Sequence, residues 1–238
     1  MHQREYIQDE SLVFIDETVV GKGAFIYYSI VEGAGACRDR NSIEDYILDS
    51  IENIKKRIGS PESLSEDPVI RSYRRFLWRL GIDPTKTRPS SEALARRVLR
   101  GRGFPRVNDI VDLANAVSLA LLVPIGLYDL NRIEAPVYLR LSSGGEEFHP
   151  IGGEPKALSE GIPVLVDSKG TVLHIYPHRD SIHSMIRDDT AAILVVAAGV
   201  EGVPEEIVER AAREVCEWLV AFGCAESCRG PWKASGPR

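Results

Sequence analysis

A mixed α/β fold is predicted by three features of the 238-residue sequence. Apolar side chains recur at helical spacing through residues 42–122 and again through 204–223. Residues 12–32 and 136–198 instead read as short β-rich segments broken by glycine turns. With 44% hydrophobic and 27% charged residues, the chain can bury a core of one large domain or two small ones and is not disordered.

Taken in order, Val13-Phe14-Ile15 and residues 24–31 are expected to pair as a hairpin around Gly21-Lys22-Gly23. Ser42, with Asp45 at N3, is expected to cap a helix whose inner side carries Ile43, Ile47, Ile51, Ile54 and Ile58, and Gly59 stops it. Residues 1–66 would then be an N-terminal hairpin plus helix packed on a main domain of residues 67–223. Asp67-Pro68 opens that domain's first helix by N-cap and N1 chemistry. Val69, Tyr73, Phe76, Leu77 and Leu80 face inward there, and Arg71, Arg74, Arg75 and Trp78 lie on the opposite face. Further helices are expected over 91–100, over 108–122 and after Pro204. Strands are expected at 137–141, 147–151, 163–167, 171–176 and 191–198, with a hairpin turn at Ser168-Lys169-Gly170. Residues 224–238 read as a mobile tail.

No run of about 18 apolar residues exists, which excludes a membrane-spanning helix. No apolar segment follows Met1-His2-Gln3-Arg4-Glu5-Tyr6, so no signal peptide is expected and a cytoplasmic protein without a membrane partner is the expectation. The net charge of −6 conceals a segregation. Residues 71–106 hold 11 Lys/Arg against Asp83 and Glu92, a local +9, and the remainder sums to −15. That asymmetry points to a polyanion partner for one face. The competing reading is arginines paired to the acidic remainder. Arg71, Arg74, Arg75, Arg96, Arg97, Arg100 and Arg102 are the candidate nucleic-acid contacts. Trp78 among them can either stack on a base or cover the edge of the core.

Candidate chemistry is sparse. Lys86 and Arg88 precede a helix start, where anions bind well. Asn108, Asp112, Asn115 and Ser118 fall within one ~120° sector of an otherwise apolar helix, so backbone or a ligand must satisfy them. No G-x-G-x-x-G, Walker, G-x-S-x-G or H-E-x-x-H motif occurs, and Ser118 has no histidine neighbour for a nucleophilic triad. His174, His178 and His183 have a spacing that a metal could use, but without an accompanying motif surface histidines are the plainer reading. Four cysteines suit a reduced pool. Cys224-Ala-Glu-Ser-Cys228 could instead close as a disulfide, or join Cys216 in a zinc site that lacks a fourth ligand. No metal and no cofactor are expected.

Several segments together resemble a known family. They are Gly81-Ile82-Asp83-Pro84-Thr85-Lys86-Thr87-Arg88-Pro89-Ser90-Ser91-Glu92-Ala93-Leu94, Val111-Asp112-Leu113-Ala114-Asn115, Pro124-Ile125-Gly126-Leu127-Tyr128-Asp129, Gly145-Glu146-Glu147-Phe148, Val166-Asp167 and Asp189-Thr190. In this order they are similar to the B3/B4 module of the phenylalanyl-tRNA synthetase β subunit, in a free-standing form. The resemblance implies an α+β three-layer sandwich of two β layers and a helical layer. It implies tRNA as partner, no DNA, and an aminoacyl-ester hydrolase that cleaves mischarged tRNA. With no aminoacylation domain recognised, the chain is not expected to charge tRNA by itself.

Carried over position by position, the family pattern places Asn115 on the pocket helix and Asp129 at the end of the Pro-x-His-x-Phe-Asp stretch. Gly126 stands where that stretch has histidine, and Val196 stands where the family has a pocket glutamate. Both ionisable groups are therefore missing. Asn115 and Ser118 become the candidates for holding water. Lys86 or Arg88 would hold phosphate or carbonyl oxygen, and Asp129, Glu146 or Glu147 the α-ammonium, with Asp112 and Thr190 completing the substrate set. Three functions are consistent with these residues: deacylation of mischarged tRNA in trans, tRNA or RNA binding without catalysis, and an amino-acid or nucleoside pocket.

Overall fold

The computed structural model describes residues 12–236. Its eleven strands and six α-helices build the expected α+β sandwich. The strands are β1 (Val13–Ile15), β2 (Ala24–Glu32), β3 (Ile125–Asp129), β4 (Val137–Leu141), β5 (Glu147–Phe148), β6 (Lys156–Ala157), β7 (Pro163–Val166), β8 (Val172–Ile175), β9 (Arg179–Asp180), β10 (Ala192–Val200) and β11 (Ser227–Lys233). The helices are α1 (Glu17–Val20), α2 (Arg40–Ile58), α3 (Pro68–Arg79), α4 (Ser90–Leu99), α5 (Asp109–Leu121) and α6 (Glu205–Ala221).

An antiparallel sheet in the order β11-β2-β10-β3 forms the middle layer. Side chains alternate across it. Val31, Leu127, Ile193 and Val195 face the helical layer, where they meet Ile43 and Ile47 of α2, Leu113 and Val117 of α5, and Val215 and Leu219 of α6. Ile26, Tyr28, Ile30, Leu194 and Val196 face the second sheet and meet its Leu139, Leu165 and Leu173. That second sheet has the order β1-β4-β7-β8-β9. Burial on both faces explains why β10 reads as an unbroken apolar run instead of an alternating one. Helices α3 and α4 close the side of the same core through Ile70, Tyr73, Phe76, Leu77, Ala95 and Val98.

Local signals hold where one segment decides its own structure. Asp67 caps α3 by accepting from Val69 N and Ile70 N, with Pro68 in the first turn. The α2 cap differs by three residues. Asp39, not Ser42, accepts the N–H of Ser42 and also its hydroxyl, so the helix begins at Arg40.

Three expectations are corrected. The N-terminal hairpin does not form: Asp16 caps the short α1 between the two strands, β1 runs parallel to β4, and β2 pairs with β10 and β11 in the other sheet. An inner strand of the middle layer comes from residues 24–32, so residues 12–66 are not an appended unit, and residues 1–11 of the expected N-terminal unit lie outside the described residues. The segment after Cys224 is not loose either, because β11 pairs with β2 and the Trp232 ring lies 5.6 Å from that of Tyr28. Finally, the cysteines pair as Cys37–Cys224 and Cys216–Cys228, neither as Cys224–Cys228 nor as a zinc set. Cys224 sits beside the loop before α2, where Gly35 N donates to its carbonyl, and Cys228 lies on β11 against α6. Chain proximity between Cys224 and Cys228 is overridden by the faces on which they lie.

Candidate functional site: an arginine face and a neighbouring cavity

Helices α3 and α4 carry the basic segment. On α3, Arg71, Arg75 and Trp78 are exposed and, with Pro68, Ser72 and Arg74, line a groove of about 500 Å³. Trp78 is 58% exposed, so it does not serve as a cover for the core edge. Arg74 and Arg96 turn away from solvent onto one buried carboxylate. Glu92 accepts from Arg74 Nε at 2.9 Å and Nη2 at 2.5 Å, and from Arg96 Nη2 at 3.2 Å, while Arg88 Nε stands 3.9 Å away. Glu92 is wholly buried. Arg106 is spent on Glu44 and Asp112, and Arg79 on Glu201. Among the described residues, Arg71, Arg75, Arg97, Arg100 and Arg102 have no carboxylate in ion-pairing range. Part of the charge is therefore paired internally, as the competing reading expects, and part is left outward. Glu92 escaped notice as a hub, although its i−4 and i+4 arginines were a readable signal.

The polar stripe on α5 is mostly used up by the helix itself. Asn108 is the N-cap and accepts from Val111 N. Asp112 accepts from Val107 N at 2.8 Å and pairs with Arg106 at 3.0 Å. Burial raises the Asp112 carboxyl above its ordinary range, against the pull of the Val107 N–H and Arg106. Ser118 donates to Val123 O at 2.6 Å, closing the helix end where Leu122 adopts φ 57°. Only Asn115, half-buried, keeps a side chain without a protein partner among the described residues. The stripe thus does not line one cavity, and Ser118 is not free to hold water.

A separate cavity of about 470 Å³ opens at the N-terminus of α5, lined by Arg40, Asn108, Asp109, Arg187 and Thr190 and by the loop that carries Cys37. Behind it, Asp129 at the end of β3 accepts from Thr190 Oγ1 at 2.7 Å, Asn131 N at 2.9 Å and Arg132 Nε at 3.2 Å. The fold therefore brings together two expected residues 61 positions apart. Other members of the substrate set lie elsewhere. Glu146 pairs with Arg140, Glu147 with His149 beside the β5–β6 ribbon, and Lys86 is exposed in the loop before α4. Arg88 lies beside His178, whose Nδ1 is 2.7 Å from the Arg88 carbonyl; burial lowers the His178 pKa. His174 is buried against Asp180, and no group of three metal-ligating side chains exists among the described residues.

Gly126 and Val196 are direct cross-strand partners. A Cβ at Gly126 would run into the Tyr128 hydroxyl, which donates to Asp180 at 3.0 Å. The two positions that departed from the family pattern therefore form one spot, occupied here by a tyrosine ring and a valine inside the core. Gly126→Ala is expected to cost about 1–3 kcal/mol of stability by overpacking. A denaturant midpoint within error of the native protein would show that Tyr128 swings aside freely.

A two-sheet sandwich with an outer helical layer and a basic helical flank is thus the class to which this chain belongs. The B3/4 domain family model matches residues 72–224, more than half of the chain, and the protein belongs to that family. Among curated relatives, the phenylalanine–tRNA ligase beta subunit of Aquifex aeolicus is 29% identical over 96 residues, 40% of this chain and 12% of that protein. The corresponding subunit of Thermobifida fusca is 29% identical over 140 residues, 59% of this chain and 16% of that protein. The chain thus matches only about an eighth to a sixth of these relatives' length. A crystal structure of an N-terminal fragment of the Pyrococcus horikoshii phenylalanyl-tRNA synthetase beta subunit superposes over 90% of this chain and 50% of that one, with a TM-score of 0.54 at 17% identity. That likeness concerns the fold. No helix among the described residues is long and apolar enough to cross a membrane.

Proposed function

We propose that this B3/4 protein binds tRNA through the α3–α4 face, as a cytoplasmic protein without the hydrolytic groups of the family's editing pocket. The observation that carries the reading is a set of arginines outward and unpaired by any carboxylate of the described residues, Arg71 and Arg75 beside the exposed Trp78 on α3 and Arg97, Arg100 and Arg102 on and after α4. Guanidiniums supply phosphate contacts and the indole a stacking platform. The relatives, named as tRNA ligase subunits, support tRNA over DNA as the partner. Filter binding of a tRNA pool should weaken steeply between 50 and 200 mM salt, an order-of-magnitude window for phosphate contacts. Arg71→Ala/Arg75→Ala should flatten the salt slope by about two, and Trp78→Ala should weaken binding ~5–100-fold with the slope unchanged. Salt-insensitive binding, or none, would defeat this reading.

A second reading, deacylation of mischarged tRNA in trans, draws on the cavity at the start of α5. Its volume of about 470 Å³ suits a small ligand, since such sites span ~300–1,000 Å³. Its wall offers acids and arginines that could orient an aminoacyl end. Asn115 is the remaining sequence candidate for holding water, Ser118 being engaged with Val123, although Asn115 is not among the residues that line this cavity. Turnover of any member of a panel of mischarged tRNAs, lost in Asn115→Ala, would favour it. A thermal-shift response to amino acids or nucleosides without tRNA would favour a small-molecule pocket instead.

A further inference from the structure

Arg88, Arg96, Arg97, Arg100 and Arg102 converge with Ala93 around a pocket of about 260 Å³ at the C-terminal half of α4. No carboxylate of the described residues lines it. The nearest acid is Glu92, buried beneath the wall and shared with Arg74 of α3. Glu92 holds the Arg96 guanidinium in place at 3.2 Å and stands 3.9 Å from that of Arg88. Arg97 is fixed as well, its Nε donating to Gly103 O at 3.0 Å in the turn after the helix. Two donors of the wall, Arg88 Nε and Arg96 Nε, are buried without any acceptor. Buried N–H groups almost always find a partner, so this wall keeps hydrogen-bonding capacity that Glu92 does not use.

We propose that this pocket is a binding site for a phosphate group, of the dianionic monoester or inorganic kind. Five guanidiniums over one shared carboxylate leave more positive charge than the single charge of a backbone diester answers, whereas a monoester carries about −1.5 to −2 at neutral pH and three strong acceptor oxygens. Planar guanidinium forks match those oxygens two at a time. The site lies on and around α4, apart from the Trp78 groove on α3; it shares Arg97, Arg100 and Arg102 with the proposed RNA face, but phosphate binding there does not require RNA. Two sources could supply the group: a free phosphate or nucleotide, or the 5′-phosphate end of an RNA.

The test is a thermal-shift titration of the full chain with sodium phosphate against sodium chloride at matched ionic strength and pH. Phosphate should raise the melting temperature in step with the logarithm of its concentration once above its Kd, by about 3–6 °C at ten times its Kd. Arg100→Ala/Arg102→Ala, both exposed positions, should keep the native melting temperature without ligand and weaken the phosphate response tenfold or more. No phosphate-specific shift would overturn the site. So would a shift that survives in the double variant, or an equal shift from a poly-glutamate peptide. A second arm compares one RNA with a 5′-phosphate and a 5′-hydroxyl. Tighter binding of the phosphorylated form, abolished by the double variant, assigns the site to the RNA end. Equal binding alongside an intact phosphate shift assigns it to a free phosphate compound. Failure of all RNA binding with the phosphate shift retained would remove the RNA reading and leave the site standing.

Discussion

Cys37→Ser/Cys224→Ser should lower the unfolding free energy by about 4–5 kcal/mol, because the bridge closes a span of 187 residues. The bridge joins the loop before α2 to the segment after α6. Ala34 N, Gly35 N and Asp39 N add backbone bonds to Ala191, Cys224 and Phe222. Cys216→Ser/Cys228→Ser should cost less, about 3 kcal/mol, since that bridge spans 12 residues and tethers only β11. Urea titrations of the native protein and both variants, without reductant, measure the difference. Peptide mapping of the native protein should recover linked fragments containing Cys37 and Cys224. Fragments linking Cys224 to Cys228, or equal losses in the two variants, would contradict the pairing. The first variant carries a further consequence: Gly35, Ala36 and Cys37 line the cavity at α5, so its wall should loosen before the core melts.

Glu92→Ala should destabilise the protein by about 3–5 kcal/mol, the usual result of stripping one partner from a buried ionic cluster. Arg74 and Arg96 would remain mostly buried with their charge-assisted bonds gone. The join between α3 and α4 would lose its polar centre. Glu92→Gln should cost less, because its amide oxygen still accepts from one guanidinium while its NH₂ faces the other. Chemical denaturation of both variants checks the order. A Glu92→Ala protein within about 1 kcal/mol of native would mean that the guanidiniums rotate into water at no cost, which their burial argues against.

Much of this architecture was legible because the deciding physics is local. Asp67 capping α3, the isoleucine stripe of α2 and the apolar run of β10 depend on spacing within a few residues. Family membership rests on ordered motifs in the same way, and so does the +9 charge of residues 71–106. The candidate site was less legible. Asn108, Asp112 and Ser118 share a helix face as expected, yet a cap, an N–H and a carbonyl close at hand take their polar atoms. Whether a polar side chain meets backbone or ligand depends on what the neighbouring chain places within 3 Å of it.

Periodicity and charge order are properties of the chain alone, so the longer helices, most core strands and the basic segment could be named before any coordinates, whereas β3, β11 and the short α1 were not. Partner choice is not such a property. Alternation tells which side of a strand is apolar but not which strand lies beside it, so β1 and β2 could part into different sheets. The cysteine pairs, the three arginines gathered on Glu92, the meeting of Asp129 with Thr190 and the tyrosine ring over Gly126 all join residues through packing. Each needed the folded sandwich to bring its members within bonding distance.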